Sequence, residues 1–156
     1  MIDSNDFFSS IQAGNVNKVE TLLLRRPELV NTKDQRGFTP LIFATYFDKR
    51  AIVDLLLKFK ANIDEADKSG NTPLLGLAFK GNTALASDLL KKGAKVNVQN
   101  NLGYTPLIFA SMYGQTKMVE LLLKHNANKS IRDTAGKTAL DYATGKAFKD
   151  IVALLR

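Results

Sequence analysis

The sequence predicts an all-α solenoid, a stack of small helix-turn-helix units joined by short β-hairpin-like turns. Two observations carry that prediction. The first is the pentapeptide Gly-x-Thr-Pro-Leu, which starts at Gly37, Gly70 and Gly103, 33 residues apart each time; one further step reaches Gly136, where Gly136-Lys137-Thr138-Ala139-Leu140 continues the pattern with alanine for proline. The second is a pair of leucines at a fixed distance behind each motif, Leu56-Leu57, Leu89-Leu90 and Leu122-Leu123. A period of this length marks a repeat array, in which each unit buries its apolar face only against its neighbours.

Each unit follows from its residues. Threonine suits a helix N-cap because its hydroxyl accepts a backbone N–H, and proline suits the next position because that N–H has no helical partner. The glycine two residues earlier fits a tight left-handed turn. Leu41, Leu74 and Leu107 then open the buried face of a first helix, with Ala44, Leu77 and Ala110 about one turn on. Repeat three has Gly76-Leu77 where its neighbours have Phe43-Ala44 and Phe109-Ala110, a swap that reads as volume-conserving repacking. A short break and a second helix ending in the leucine pair complete each unit.

These residues resemble the ankyrin repeat, whose hallmark is Thr-Pro-Leu-His, an Ala-rich helix, a glycine turn and a Leu-Leu helix. The turn glycine matches Gly14, Gly81 and Gly114, and the family's closing pattern matches Leu89-Leu90-Lys91-Lys92-Gly93-Ala94-Lys95-Val96-Asn97. The resemblance covers nearly the whole chain and implies an ankyrin-repeat solenoid. Three departures stand out. The motif histidine is replaced by Ile42, Leu75, Ile108 and Asp141, so aliphatic burial must substitute for its hydrogen bond; Asp48 stands at a turn-glycine position, and Lys60 stands where the next repeat has Gly93.

The expected organisation is one domain, 1–156, with repeats at 1–34 (N-terminal cap), 35–67, 68–100, 101–133 and 134–156 (C-terminal cap). In the first, Asn5 is the expected N-cap before Phe7, Phe8 and Ile11, and Leu22-Leu23 marks the second helix. Gly14 lies 34 residues before Asp48, so one extra residue is expected in the Arg25-Arg26-Pro27-Glu28 loop. No basic leader or apolar run of signal length follows Met1, and no stretch approaches a membrane span. A cytoplasmic monomer is therefore the expectation.

Little in the chain suggests catalysis or a cofactor. It has no cysteine, which excludes disulfides and thiolate metal sites, and a single histidine, His125, expected in an exposed turn. One imidazole does not make a metal centre, and no nucleophile has triad partners. Gly136-Lys137-Thr138 imitates the end of a phosphate loop but lacks the earlier glycine, where Ile131 stands; Asp64-Glu65-Ala66-Asp67 fails calcium-loop spacing at Ala66 and Lys68 and reads as a hairpin turn. Asn128-Lys129-Ser130 matches the glycosylation tripeptide, a coincidence without a secretion signal. No cofactor, no metal and no enzymatic activity are expected.

The net charge is +7, from 22 basic and 15 acidic residues. Lys58, Lys60, Lys91, Lys92, Lys124 and Lys149 fall on second helices or the turns after them, as solvated faces do, and no base-reading motif accompanies them. The resemblance implies a protein partner bound through hairpin tips and the concave face of the first helices. Carried over by position, that surface is Arg36, Phe38, Tyr46, Phe47, Phe79, Lys80, Leu102, Tyr104, Met112 and Tyr113, an aromatic stripe with a basic rim such as interfaces favour. These rings either face the groove or tuck into the core. The alternative function is a basic solenoid that binds nucleic acid or a phosphorylated ligand.

Overall fold

A computed structural model describes residues 4–156. Its ten α-helices among those residues form five antiparallel-style pairs in chain order: α1 Ser4–Gln12 and α2 Val16–Arg25, α3 Pro40–Tyr46 and α4 Arg50–Lys58, α5 Pro73–Lys80 and α6 Thr83–Lys91, α7 Pro106–Met112 and α8 Thr116–Lys124, α9 Ala139–Gly145 and α10 Lys149–Leu155. No strand occurs among the described residues. The first helices pack in sequence, α1 on α3 on α5 on α7 on α9, and second helices line the other side, with α2 against α4, α6 against α8 and α8 against α10.

The helix starts follow from local chemistry. Thr39, Thr72 and Thr105 accept the N–H three residues on at 3.1, 3.3 and 3.1 Å, with proline at the first helical position each time. In the last repeat the proline and the histidine equivalent are both replaced, and Thr138 and Asp141 form a reciprocal capping box instead. Asn5 does not cap its helix. It lies inside α1, because the helix already includes Ser4, and the asparagine cap of the first repeat is Asn15, whose Oδ1 accepts Lys18 N–H at 3.1 Å.

The core lies between successive first helices and the inner faces of the second, where Leu23, Leu56, Leu89 and Leu122 are buried. Leu41, Leu74 and Leu107 are essentially inaccessible, as are Ala44, Leu77 and Ala110. Ile42, Leu75 and Ile108, at the positions of the missing histidines, are buried too. Each such leucine or isoleucine contributes about 1.5–3 kcal/mol by leaving water. The extra residue of the first repeat lengthens α2 to ten residues, against nine in α4, α6 and α8, rather than enlarging the loop. The chain after it winds into a 3-10 turn over Pro27–Asn31.

Two hydrogen-bond ladders join the repeats outside the apolar core. Between hairpins, Lys68, Asn101 and Thr134 N–H donate to Arg36, Ser69 and Leu102 carbonyls at 3.2, 3.0 and 3.0 Å. Behind the second helices, the side chains of Asn31, Asp64 and Asn97 accept the N–H of Asn62, Lys95 and Asn128 at 3.0, 3.0 and 2.9 Å. Asp64 thus belongs to this second ladder, and only Asp67 of the acidic run serves the hairpin proper. Both ladders run along the exposed rim of the stack and link successive repeats without a continuous sheet.

Candidate functional site

Each hairpin is built on one Asp or Asn, in phase at 34, 67, 100 and 133. The Oδ1 of Asp34 accepts Arg36 and Phe38 N–H at 2.8 and 2.9 Å, and Asp67 serves Ser69 and Asn71 in the same way at 2.8 and 3.0 Å. Asn100 holds Leu102 and Tyr104, and Asp133 holds Ala135 and Lys137. Of these only Asp67 is placed in a hairpin turn by the sequence reading, although the 33-residue spacing announces all four. They fix the residue between Gly and Thr, at 38, 71, 104 and 137, over the first helices.

The second oxygen of each carboxylate is used differently. Arg36 clamps Asp34 Oδ2 at 2.9 Å, and the Tyr142 hydroxyl donates to Asp133 Oδ2. Burial opposes ionisation of Asp133, but hydrogen bonds from Tyr142 and from Lys137 and Ala135 N–H outweigh it and hold its pKa below the ordinary 3.8. Asp34 is likewise held low against the opposing effect of burial, by Phe38 N–H and the Arg36 side chain. Burial first, then the neighbouring Asp133 and Tyr104, pushes the Tyr142 phenol well above its usual range, so it stays a donor.

Across the first helices of the second, third and fourth repeats lies a pocket of about 290 Å³. Phe38, Ile42, Tyr46, Phe79, Phe109 and Tyr113 form its walls, with Thr45, Asp67, Asn71, Thr72 and Lys80 as its polar lining. The pocket exists because of Gly76. That glycine takes the place held by Phe43, Phe109 and Tyr142 in the second, fourth and fifth repeats, and a Cβ built on it meets no atom within 4 Å. The expectation of volume-conserving repacking is therefore corrected. Leu77 fills the core and leaves the groove side empty, because adjacent helix positions are rotated by about 100°.

The structure separates the ten residues of the expected stripe. Tyr46, Phe79, Tyr113 and Leu102 are about half exposed, at 51, 45, 49 and 55%. Phe79 meets Tyr113 edge to face at 4.7 Å, and Lys80 sits 4.1 Å above the Tyr46 ring while donating to the Tyr46 carbonyl. Phe38, Phe47, Tyr104 and Met112 are half-buried against the core. Phe47 packs on Phe43 at 4.8 Å, away from the pocket, and Met112 does not line it. Arg36 lies over Phe38 at 4.1 Å, while Leu102 and Tyr104 line a separate shallow depression at the hairpin tips. The pocket thus gathers Phe38, Tyr46, Phe79, Lys80 and Tyr113 from the stripe, and adds Asp67, Asn71, Gly76 and Phe109.

The remaining chemistry is sparse. Among the described residues no three His, Cys, Asp or Glu side chains cluster as metal ligands would, and no helix is long and apolar enough to cross a membrane. His125 is half-buried at the C-cap of α8, less open than an exposed turn. Lys58, Lys60, Lys91, Lys92, Lys124 and Lys149 are all exposed, and Lys92 pairs with Asp54 at 3.3 Å.

The family model for ankyrin repeats (3 copies) matches residues 7–100 and, in a second placement, residues 74–156. The chain belongs to the ankyrin repeat family. Ankyrin repeats generally serve as protein–protein interaction modules and are typically without enzymatic activity. No curated protein matches this chain in a comparison of sequences. The all-helical solenoid of paired helices is the fold this membership implies.

Proposed function

We propose that this ankyrin repeat chain is a non-enzymatic cytoplasmic adaptor that holds a protein partner in the groove over its first helices, centred on the Gly76 pocket. The carrying observation is the run of half-exposed rings, Tyr46, Phe79 and Tyr113, around an open apolar pocket. Large rings are seldom left in water as a contiguous set, and rigid aromatic anchors beside a pocket are where binding energy concentrates. The hairpin tips, with Arg36 and Leu102 exposed, extend the contact surface.

The test compares two triple variants as bait in a lysate of the source cell. Tyr46, Phe79 and Tyr113 replaced by serine should release the partner with helical content unchanged; Lys58, Lys91 and Lys124 replaced by serine, on the opposite helices, should retain it. The reverse result, or retention abolished by nuclease and by moderate salt, would transfer function to the basic surface and to nucleic acid.

A further inference from the structure

We propose that the Gly76 pocket receives the phenol ring of a tyrosine carried by the protein partner, with the free carboxylate oxygen of Asp67 accepting its hydroxyl. This rests on the groove reading above and narrows it to one side chain. The template lies inside the molecule. Two repeats further on, position 76 becomes Tyr142, position 67 becomes Asp133 and position 38 becomes Tyr104. There the Tyr142 ring stands edge to face against Tyr104, 6.2 Å between centroids at 90°, and its hydroxyl donates to Asp133 Oδ2.

At the pocket the aromatic wall and the carboxylate of that arrangement are both present, while the Tyr104 hydroxyl that also bonds Tyr142 has no counterpart on Phe38. Phe38 supplies the wall that Tyr104 supplies to Tyr142. Asp67 Oδ1 is occupied by Ser69 and Asn71 N–H, and among the described residues no group donates to its Oδ2. The other three hairpin residues are fully engaged: Arg36 holds Asp34, Tyr142 holds Asp133, and Asn100 donates its amide to Asn71 at 2.9 Å. A half-buried carboxylate oxygen beside an apolar cavity selects a ring that brings its own donor over a plain phenyl ring. It also rejects phosphotyrosine, because like charges would meet there, and Lys80, the cation in the lining, is engaged with Tyr46.

The experiment titrates p-cresol and toluene into the full chain and follows the amide resonances of Asn71, Gly76 and Phe79. Saturable shifts are expected, with p-cresol about ten- to a hundredfold tighter, the worth of one hydrogen bond to a carboxylate. Gly76→Phe should abolish both. Asp67→Asn should keep the hairpin, as Asn100 already does in the next repeat, and bring the two probes to within about twofold. Equal affinity of the two probes for the unmodified chain, or absence of shifts at Gly76, would overturn the proposal. The macromolecular source is tested with a displayed random peptide library: enrichment of tyrosine at one place, lost on the Gly76→Phe chain, is expected. Enrichment of phenylalanine or leucine, or equal binding of the phosphotyrosine form of a selected peptide, overturns it. Partner capture that survives Gly76→Phe, yet fails when Tyr46, Phe79 and Tyr113 are serine, overturns the tyrosine proposal and leaves the adaptor reading standing.

Discussion

Ser111 is inaccessible to solvent and its hydroxyl has no hydrogen-bond partner, whereas Thr45 and Ser10 return theirs to helix carbonyls at 2.9 and 2.8 Å. An unmet buried hydroxyl costs about 1–3 kcal/mol, and the preceding repeat has Ala78 at the same place. Ser111→Ala should therefore raise stability by about 1 kcal/mol in urea unfolding; a loss would mean that the hydroxyl has a partner in solution. Ala147 poses a backbone question. It sits at φ 58°, in the inter-helix turn where Gly114 sits at 70°. Left-handed backbone costs a Cβ-bearing residue about 1–2 kcal/mol, and glycine returns about 0.4–1 kcal/mol through the freer unfolded chain. The first exceeds the second, so Ala147→Gly should stabilise by about 0.5 kcal/mol, read as a higher melting temperature.

The hairpins carry different loads although their sequences match. Gly70 and Gly136 share a positive φ, 81° and 79°. A Cβ on Gly70 would stand 2.6 Å from Asn101 Oδ1 and 2.8 Å from Asn101 N, while one on Gly136, with no hairpin behind it, would meet nothing within 4 Å. Gly70→Ala should consequently cost more than Gly136→Ala, because it disrupts the bond between hairpins as well as straining the turn; equal urea midpoints for the two variants would refute this. Acid acts on the same elements. Asp133 and Asp34 have folded pKa values below the ordinary 3.8, so their contribution is complete above about pH 4 and is lost as pH falls through the folded values. Asp133→Asn should lower the melting temperature at pH 7, and the gap should shrink as pH falls through the folded pKa of the native carboxylate. The sequence motif exposed the glycine and threonine of these hairpins because their roles are local. It concealed the contact between Gly70 and Asn101, which exists only when repeats stack.

Along the whole stack, period and helix pairing were readable from residues such as Thr39, Pro40 and Leu41, since each cap and each buried leucine acts within its own repeat or against its neighbour. The pocket was not readable, because Gly76 and Leu77 conserve volume in sequence while facing different surroundings in space. That gap interrupts a row of rings, Phe43, Phe109 and Tyr142, that otherwise follows the solenoid, and it places an empty site at the middle repeat of five. The molecule gives up stability there. Glycine inside a helix costs about 1 kcal/mol relative to alanine, and the ring contacts of the other repeats are absent as well. Gly76→Phe should therefore raise stability, by about 1 kcal/mol in urea unfolding, while closing the pocket to p-cresol. A more stable chain that has lost its ligand would mark Gly76 as retained for binding, as expected where stability and function oppose each other. A less stable one would mean that the surrounding rings of Tyr46, Phe79 and Tyr113 close over the glycine in solution, leaving no room for a guest.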